Sequence, residues 1–249
     1  MDKKIRLDKY LADSLIGTRA DVKKYIYHHK VTINGRMAKD PGEKIDPETD
    51  VITYRGEKVV CEPFRYFMLN KPAGVVSAVS DKQDTTVIDL LSDVNTKDLF
   101  PVGRLDKDTE GLLLITNDGK LSHDLLSPKK HVEKTYIALT DKKLDDTALD
   151  DIRSGVDIGE KKPCLPAKIE YLGEVTDNIH ETSDTALVLH KYEIKISEGK
   201  YHQIKRMFSV KGAEVIYLKR TAFGALVLDE TLKPGDYIKL DKESVKSLF

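Results

Sequence analysis

The spacing of apolar residues over the first sixty positions predicts two short helices followed by strands. Apolar residues recur at helical intervals from Ile5 to Leu15. After a break at Gly17, the hydroxyl of Thr18 is well placed to cap a second helix. The period then changes to two, and Asn34-Gly35 is a strong signal for a hairpin turn. The pattern therefore predicts a small folded unit of its own, over residues 1–60.

Beyond residue 60, many short apolar runs alternate with turn residues. We place a linker at 61–65 and a second domain at 66–249. The runs predict strands at 66–70, 112–116, 134–139, 167–171, 186–189, 192–196, 217–220 and 226–228. Helical spacing predicts helices at 85–91, 121–126, 145–152 and 203–210. Because strand signals follow one another with few helices between them, the pattern favours an α+β fold with a mixed, mainly antiparallel sheet.

Composition narrows the class of protein without identifying a partner. The chain has 249 residues, of which 33% are charged, and its formal net charge is −1. The longest apolar run, Leu112 to Ile115, is far shorter than the ~20 residues that a membrane span needs. The two cysteines, Cys61 and Cys164, have no CxxC or histidine neighbours at zinc spacing, so no metal site is indicated. We expect a cytoplasmic protein that does not enter a membrane.

The most informative stretch for chemistry runs from Gly103 to Gly119. It places Asp106 beside Arg104, just ahead of the apolar run that begins at Leu112. An acid at the mouth of a buried strand can be held in one geometry, as a nucleophile or a proton-transfer group requires. On residue type alone, a solvent-facing turn acid is the more common assignment.

Several segments, in chain order, resemble the RsuA-like branch of the pseudouridine synthases. The segments are Tyr66 to Gly74, Gly103 to Gly119, Glu133 to Tyr136, Ser197 to Phe208, and Leu218 with Arg220. The first sixty residues, with Arg6 to Leu11 at the front and Val31 to Gly35 at the back, resemble an S4 domain. Together the two resemblances cover about residues 5–240.

The resemblance implies a role for each matched residue. Asp106 corresponds to the catalytic aspartate, Tyr136 to an active-site tyrosine that stacks on the uracil, and Lys205 to the cation paired with the aspartate. The wider family often has arginine at the last position, and here Lys205 is followed by Arg206. The implied substrate-binding residues are Arg104, Leu218, Lys71, Arg206, Arg220 and His202. For Tyr136 and Leu218, an ordinary place in the core is the alternative interpretation.

The S4 resemblance implies RNA binding by the first unit. Residues 1–60 hold thirteen basic and ten acidic side chains, and the basic ones concentrate between Arg19 and Lys39. That excess alone is typical of a solvated helix face. A second basic segment, 198–220, has six basic and two acidic residues. The residues we expect to contact RNA in the first unit are Arg6, Arg19, Lys23, Lys24 and Lys30.

The activity implied is the isomerisation of one uridine of ribosomal RNA to pseudouridine, most similar to the 16S enzymes of the position-516 type. The reaction imports no group and oxidises nothing, so we expect no cofactor. One carboxylate can attack C1′ of the sugar or the base, and the sequence is compatible with either. The expected partner is ribosomal RNA, free or in an assembling small subunit, and we expect a monomer. The alternatives are a 23S rRNA enzyme of the same branch and a non-catalytic S4-type assembly protein. A methyltransferase would need a glycine-rich cofactor loop, and the sequence has none.

Overall fold

The computed structural model describes residues 4–62, 64–127, 130–177 and 187–246. The chain divides into two compact units, Met1–Phe64 and Arg65–Phe249. The division falls within the segment 61–65 that the sequence suggests as a linker. No helix among the described residues is long and apolar enough to span a bilayer.

The first unit contains two helices and two small sheets. Its elements are β1 (Ile5–Arg6), α1 (Leu7–Asp13), α2 (Arg19–Tyr27), β2 (Val31–Ile33), β3 (Arg36–Met37), β4 (Lys44–Ile45), β5 (Ile52–Tyr54) and β6 (Glu57–Lys58). β1 pairs with β4, and the other four strands form an antiparallel sheet in the order β3-β2-β5-β6. Both helices bury one face against these strands through Leu7, Leu11, Val22 and Ile26, all fully buried.

Two local predictions for this unit are confirmed. Thr18 caps α2 in a capping box, in which its hydroxyl accepts from Asp21 N at 3.2 Å and the Asp21 carboxylate accepts from Thr18 N. Asn34 and Gly35 both have positive φ angles, as the tight turn between β2 and β3 requires.

The second unit is built on one large sheet. Its elements are β7 (Tyr66–Lys71), β8 (Phe100–Pro101), β9 (Glu110–Thr116), α3 (Gly119–Leu126), β10 (Lys134–Thr140), α4 (Asp146–Ser154), β11 (Lys168–Asp177), β12 (Leu187–Ile196), α5 (Gln203–Ser209), β13 (Val215–Phe223), β14 (Leu226–Val227), β15 (Tyr237–Leu240) and α6 (Lys242–Lys246). The main strand order is β11-β12-β10-β13-β9-β7-β15, with β8 and β14 attached to β9 and β13. All pairs are antiparallel except β9 with β13. The predicted α+β class with a mixed, mainly antiparallel sheet is confirmed.

The parallel contact between β9 and β13 depends on one glycine. Gly111 pairs with Arg220 and has a φ of +100°. A Cβ at this position would lie 2.2 Å from the Arg220 carbonyl oxygen, so a larger residue would force the strands apart. This close approach brings the loop that precedes β9 next to the side chains of β13.

One predicted helix is wrong. Residues 85–91 form turns, and α-helical hydrogen bonds do not develop there. The reason is that other acceptors take the backbone amides that a helix would use. Val87 N donates to Val76 O at 3.0 Å, and the Asp89 carboxylate accepts from both the Thr86 amide and the Thr86 hydroxyl.

Other differences are in the extent of the strands. The runs predicted at 186–189 and 192–196 belong to one long strand, β12, although Ala186 itself lies outside the described residues. β15 and α6 near the chain end are not among the predicted elements. β15 pairs with β7 and covers the edge of the sheet on that side.

Candidate active site

A cavity of about 740 Å³ opens on one face of the second unit. Its walls come from the loop 103–109, the strands β10 and β13, and the segment 196–205 that leads into α5. These walls contain residues of four of the five segments that the sequence analysis singles out, and the fold brings them together. Of the residues predicted for the site, those that line the cavity are Arg104, Asp106, Tyr136, His202, Lys205, Leu218 and Arg220.

The loop that carries Asp106 is anchored from below by Lys71 at the end of β7. The Lys71 ammonium is fully buried and donates to four backbone carbonyl oxygens, of Pro72 (3.0 Å), Asp106 (3.1 Å), Lys107 (3.2 Å) and Thr109 (2.8 Å). Three of these acceptors belong to the loop itself. The loop conformation is therefore set by one cation beneath it.

Burial lowers the pKa of Lys71 to about 8, against the opposing influence of Asp108, Glu110 and Asp106. The substrate contact predicted for Lys71 is wrong in this structure, because the side chain lies under the loop and has no exposed surface. It is a positioning residue.

Ser77 adds a second anchor that sequence reasoning missed. Its hydroxyl donates to Leu105 O at 2.9 Å and accepts from Leu105 N at 3.0 Å, next to the aspartate in the chain. The Leu105 side chain is buried in the core of the sheet. A single serine after two valines gives no sequence signal for this role.

Asp106 lies at the cavity surface, with 30% of its side chain exposed. The side chain that faces it is that of His202, whose Nε2 lies 3.5 Å from Asp106 Oδ1. The pairing predicted between Lys205 and Asp106 is wrong in this structure. Lys205 Nζ instead lies 2.5 Å from Asp108 Oδ2, and although burial of Asp108 opposes the effect, the ammonium lowers the pKa of that carboxyl.

His202 is held in an unusual backbone conformation. It immediately precedes α5 and has a φ of +48°, a region that residues other than glycine seldom adopt. Its ring stacks on Tyr201, with centroids 3.9 Å apart and planes 16° apart. Tyr201 is 73% exposed at the cavity and was not among the predicted site residues, although it lies in the same motif.

Tyr136 and Leu218 are two of the apolar residues that line the cavity. They are 7% and 5% exposed, and they lie on neighbouring strands, with Tyr136 paired across to Arg220. A planar aromatic or heterocyclic ring can pack against these two side chains beside Asp106.

Two of the predicted substrate residues, Arg104 and Arg206, lie in different places relative to the cavity. Arg104 is exposed at the cavity, as a residue that contacts an entering strand would be. Arg206 does not line the cavity. Its guanidinium pairs with Glu160 at 2.7 Å and also donates to Ile158 O, so the structure does not bring Arg206 to the cavity with the other predicted residues.

In the first unit, the predicted RNA contacts fall into two groups. Arg19, Lys23 and Lys24 are exposed on or beside one side of α2. Arg6 instead forms a two-pronged pair with the buried carboxylate of Asp8, and Lys30 lies over the Tyr25 ring. The freely exposed positive charge of this set is thus on α2.

Comparison with known proteins gives a consistent result. Residues 65–210 match the family model for RNA pseudouridylate synthase, and residues 5–52 match the S4 domain. An uncharacterised RNA pseudouridine synthase of Bacillus subtilis, YtzG, is 44% identical over 245 residues, which cover 98% of each chain.

Similarity to other relatives also extends over the full length. Ribosomal small subunit pseudouridine synthase A is 39% identical in Vibrio cholerae and 36% identical in Escherichia coli, with 98% of this chain and 100% of each relative covered. A crystal structure of a pseudouridylate synthase superposes with a TM-score of 0.65 at 36% identity, covering 98% of this chain and 100% of the other.

Proposed function

The chain belongs to the RNA pseudouridylate synthase family, as an enzyme of the RsuA type with an S4 domain, and on this basis we propose that it isomerises one uridine of 16S ribosomal RNA, with Asp106 as the catalytic carboxylate. The observation that supports the proposal is that Asp106, Tyr136 and Leu218 line the same cavity. The 16S target is supported by the full-length relatives that are named as small-subunit enzymes.

In the proposed reaction, the C1′–N1 bond of the uridine breaks, the uracil turns, and C5 bonds to C1′. N1 gains a proton and C5 loses one, so atoms balance without a co-reactant. Asp106 acts as a nucleophile or as a stabiliser of the positive charge that develops as the glycosidic bond breaks. His202 lies 3.5 Å from the carboxylate on one side, and the loop anchored by Lys71 and Ser77 fixes its position.

The target base has to leave its stack to reach the cavity, since C1′ is shielded in a stacked strand. In this proposal Arg104, which is exposed at the cavity, holds the flipped-out position or contacts phosphate. The exposed cations of α2 provide attraction to the phosphate backbone. We place the reaction in the cytoplasm, on free RNA or an assembling small subunit, with a monomeric enzyme.

The test is direct mapping of pseudouridine. The purified full chain is incubated with 16S transcripts, 23S transcripts and small-subunit assembly intermediates, and new sites are mapped by carbodiimide-stop sequencing. We expect one site in 16S RNA, and we expect Asp106→Asn to lower its rate of formation by at least about a thousandfold.

Asp124→Asn is the matched control, because Asp124 lies on α3 and does not line the cavity. Undiminished activity of Asp106→Asn would overturn the catalytic assignment. A site in 23S RNA alone would overturn the target and leave the chemistry standing.

A further inference from the structure

Arg220, a buried cation of the cavity wall, has no anionic partner among the described residues. Arg220 is 2% exposed, and its Nε donates to Leu112 O at 2.7 Å. Its Nη2 is buried without a hydrogen-bond acceptor among the described residues. A buried charged donor without an acceptor is costly, and such a group in a native protein calls for an explanation.

A second cation lies beside it. Lys134, on the neighbouring strand, also lines the cavity and donates to Val132 O at 3.0 Å. Both cations lie over the ring of Phe223, at 5.0 Å from Arg220 Cζ and 5.3 Å from Lys134 Nζ. Burial first, and then Arg220, lowers the pKa of Lys134 to about 8, while Glu198 acts in the opposite direction.

Glu198, the acidic residue in this part of the cavity, already accepts two hydrogen bonds. Glu198 accepts from Leu165 N and from Gln203 Nε2, both at 2.8 Å. The described residues provide no ion pair between a carboxylate and Arg220 or Lys134, whereas Lys205 and Lys107 pair with Asp108 and Asp84. Among the described residues, Arg220 and Lys134 therefore form a positive pole that no carboxylate pairs with directly, although Glu198 acts on Lys134 from beyond ion-pair distance.

This pole lies on the same wall of the cavity as the apolar side chains of Tyr136 and Leu218. Lys134 and Tyr136 are two residues apart on β10, and Leu218 and Arg220 are two apart on β13, so each pair shares one face of the sheet. Tyr136 and Leu218 supply the ring-packing surface, and the two cations follow along the same wall. A base on the apolar surface would direct its sugar and phosphate toward the cations.

We propose that Arg220 and Lys134 form a phosphate subsite that holds the phosphodiester adjoining the target uridine. The inference rests on the proposed function, since it takes an RNA uridine as the ligand. The phosphodiester is the anion that an RNA strand offers, and its two free oxygens suit a guanidinium fork. The subsite would hold the target nucleotide near Asp106 through the RNA backbone. It would therefore not depend on the RNA sequence around the target uridine.

The experiment measures binding separately from turnover. Affinities of the full chain for uridine, uridine 5′-monophosphate and uridine 3′-monophosphate are measured by titration calorimetry or by protein NMR. We expect one of the two monophosphates to bind about tenfold or more tightly than uridine, and that isomer identifies the phosphate that is held. Equal affinity for all three ligands would overturn the subsite.

Substitutions assign the effect to the two cations. Arg220→Gln and Lys134→Gln should each remove most of the preference for the phosphate and leave uridine affinity nearly unchanged. The matched control is Lys219→Gln, which removes the same charge from the opposite face of β13 and should keep the preference. Equal weakening of uridine and the monophosphate by Arg220→Gln would place the base on Arg220 and would contradict the proposal.

The experiment still discriminates if one variant fails to fold or if the protein forms no pseudouridine. If Arg220→Gln does not fold by circular dichroism, Lys134→Gln carries the assignment, because Lys134 is only partly buried. The phosphate preference is measured on wild-type protein without any isomerisation. A preference in a protein that forms no pseudouridine in RNA would count against the proposed function alone, and active protein without a preference would count against the subsite alone.

Discussion

The two sides of the cavity differ in how completely the protein satisfies its own polar groups. Beneath the loop of Asp106, the buried ammonium of Lys71 has four carbonyl acceptors, and Ser77 makes two hydrogen bonds to Leu105. On the wall of β10 and β13, Arg220 has one acceptor, and its Nη2 has none among the described residues. Both sides contain a buried cation, but only on the loop side does the fold supply its partners.

This difference separates two uses of buried charge. A cation whose acceptors are all backbone groups fixes a conformation, and so Lys71 positions the catalytic loop before any substrate arrives. A cation left short of acceptors has capacity for a ligand, and its desolvation is compensated when the ligand binds. The Thr109 hydroxyl, also at the cavity and buried without a partner in the described residues, adds to this unfilled capacity.

The largest expected effect comes from disrupting the close approach of Gly111 to the backbone of Arg220, which joins the loop side of the cavity to the wall of β10 and β13. Gly111→Ala places a Cβ against the Arg220 carbonyl and also imposes an unfavourable φ. We expect it to lower the free energy of unfolding by at least about 3 kcal/mol. Urea denaturation measures the change. Gly119→Ala is the control, because a Cβ there meets open space, and equal stability of the two variants would contradict the role of Gly111.

Methionine substitutions of Lys71 and Lys134 test whether the two sides of the cavity differ in this way. Lys71→Met removes the hydrogen bonds to the carbonyls of Pro72 and Thr109, and we expect a loss of about 2–4 kcal/mol in unfolding free energy. Lys134→Met removes one hydrogen bond and relieves a desolvated charge, so we expect a change within about 1 kcal/mol. Urea denaturation of both variants at neutral pH measures the change. Similar losses of unfolding free energy in the two variants would contradict the difference between the two sides.

The smallest effect is a pH dependence of the phosphate preference. Lys134 carries its charge below its folded pKa of about 8 and loses it as the pH rises through that value. The charged groups that face it are Arg220 and Glu198. We therefore expect the ratio of monophosphate to uridine affinity to fall about threefold to tenfold between pH 7 and pH 9.5. Lys134→Gln should show a flat ratio, and a flat ratio in wild type would exclude Lys134 from the subsite.

Local patterns predicted much of the secondary structure, because those elements depend on neighbours in the chain. The cap at Thr18 and the turn at Asn34-Gly35 are examples. The helix predicted at 85–91 fails because its amides bond to Val76 and to the Asp89 carboxylate, and the first of these partners is distant in sequence.

The sequence by itself determined the α+β class, the motifs and the family resemblance, and it marked Asp106, Tyr136 and Leu218 as residues to examine. Only the tertiary structure decided the pairings: His202 faces Asp106, Lys205 pairs with Asp108, Arg206 turns away to Glu160, and Lys71 lies beneath the loop. The reason is physical. Residue type and spacing set what a side chain can bind, but which partner it meets depends on strand register and burial, and these arise from contacts far apart in the chain.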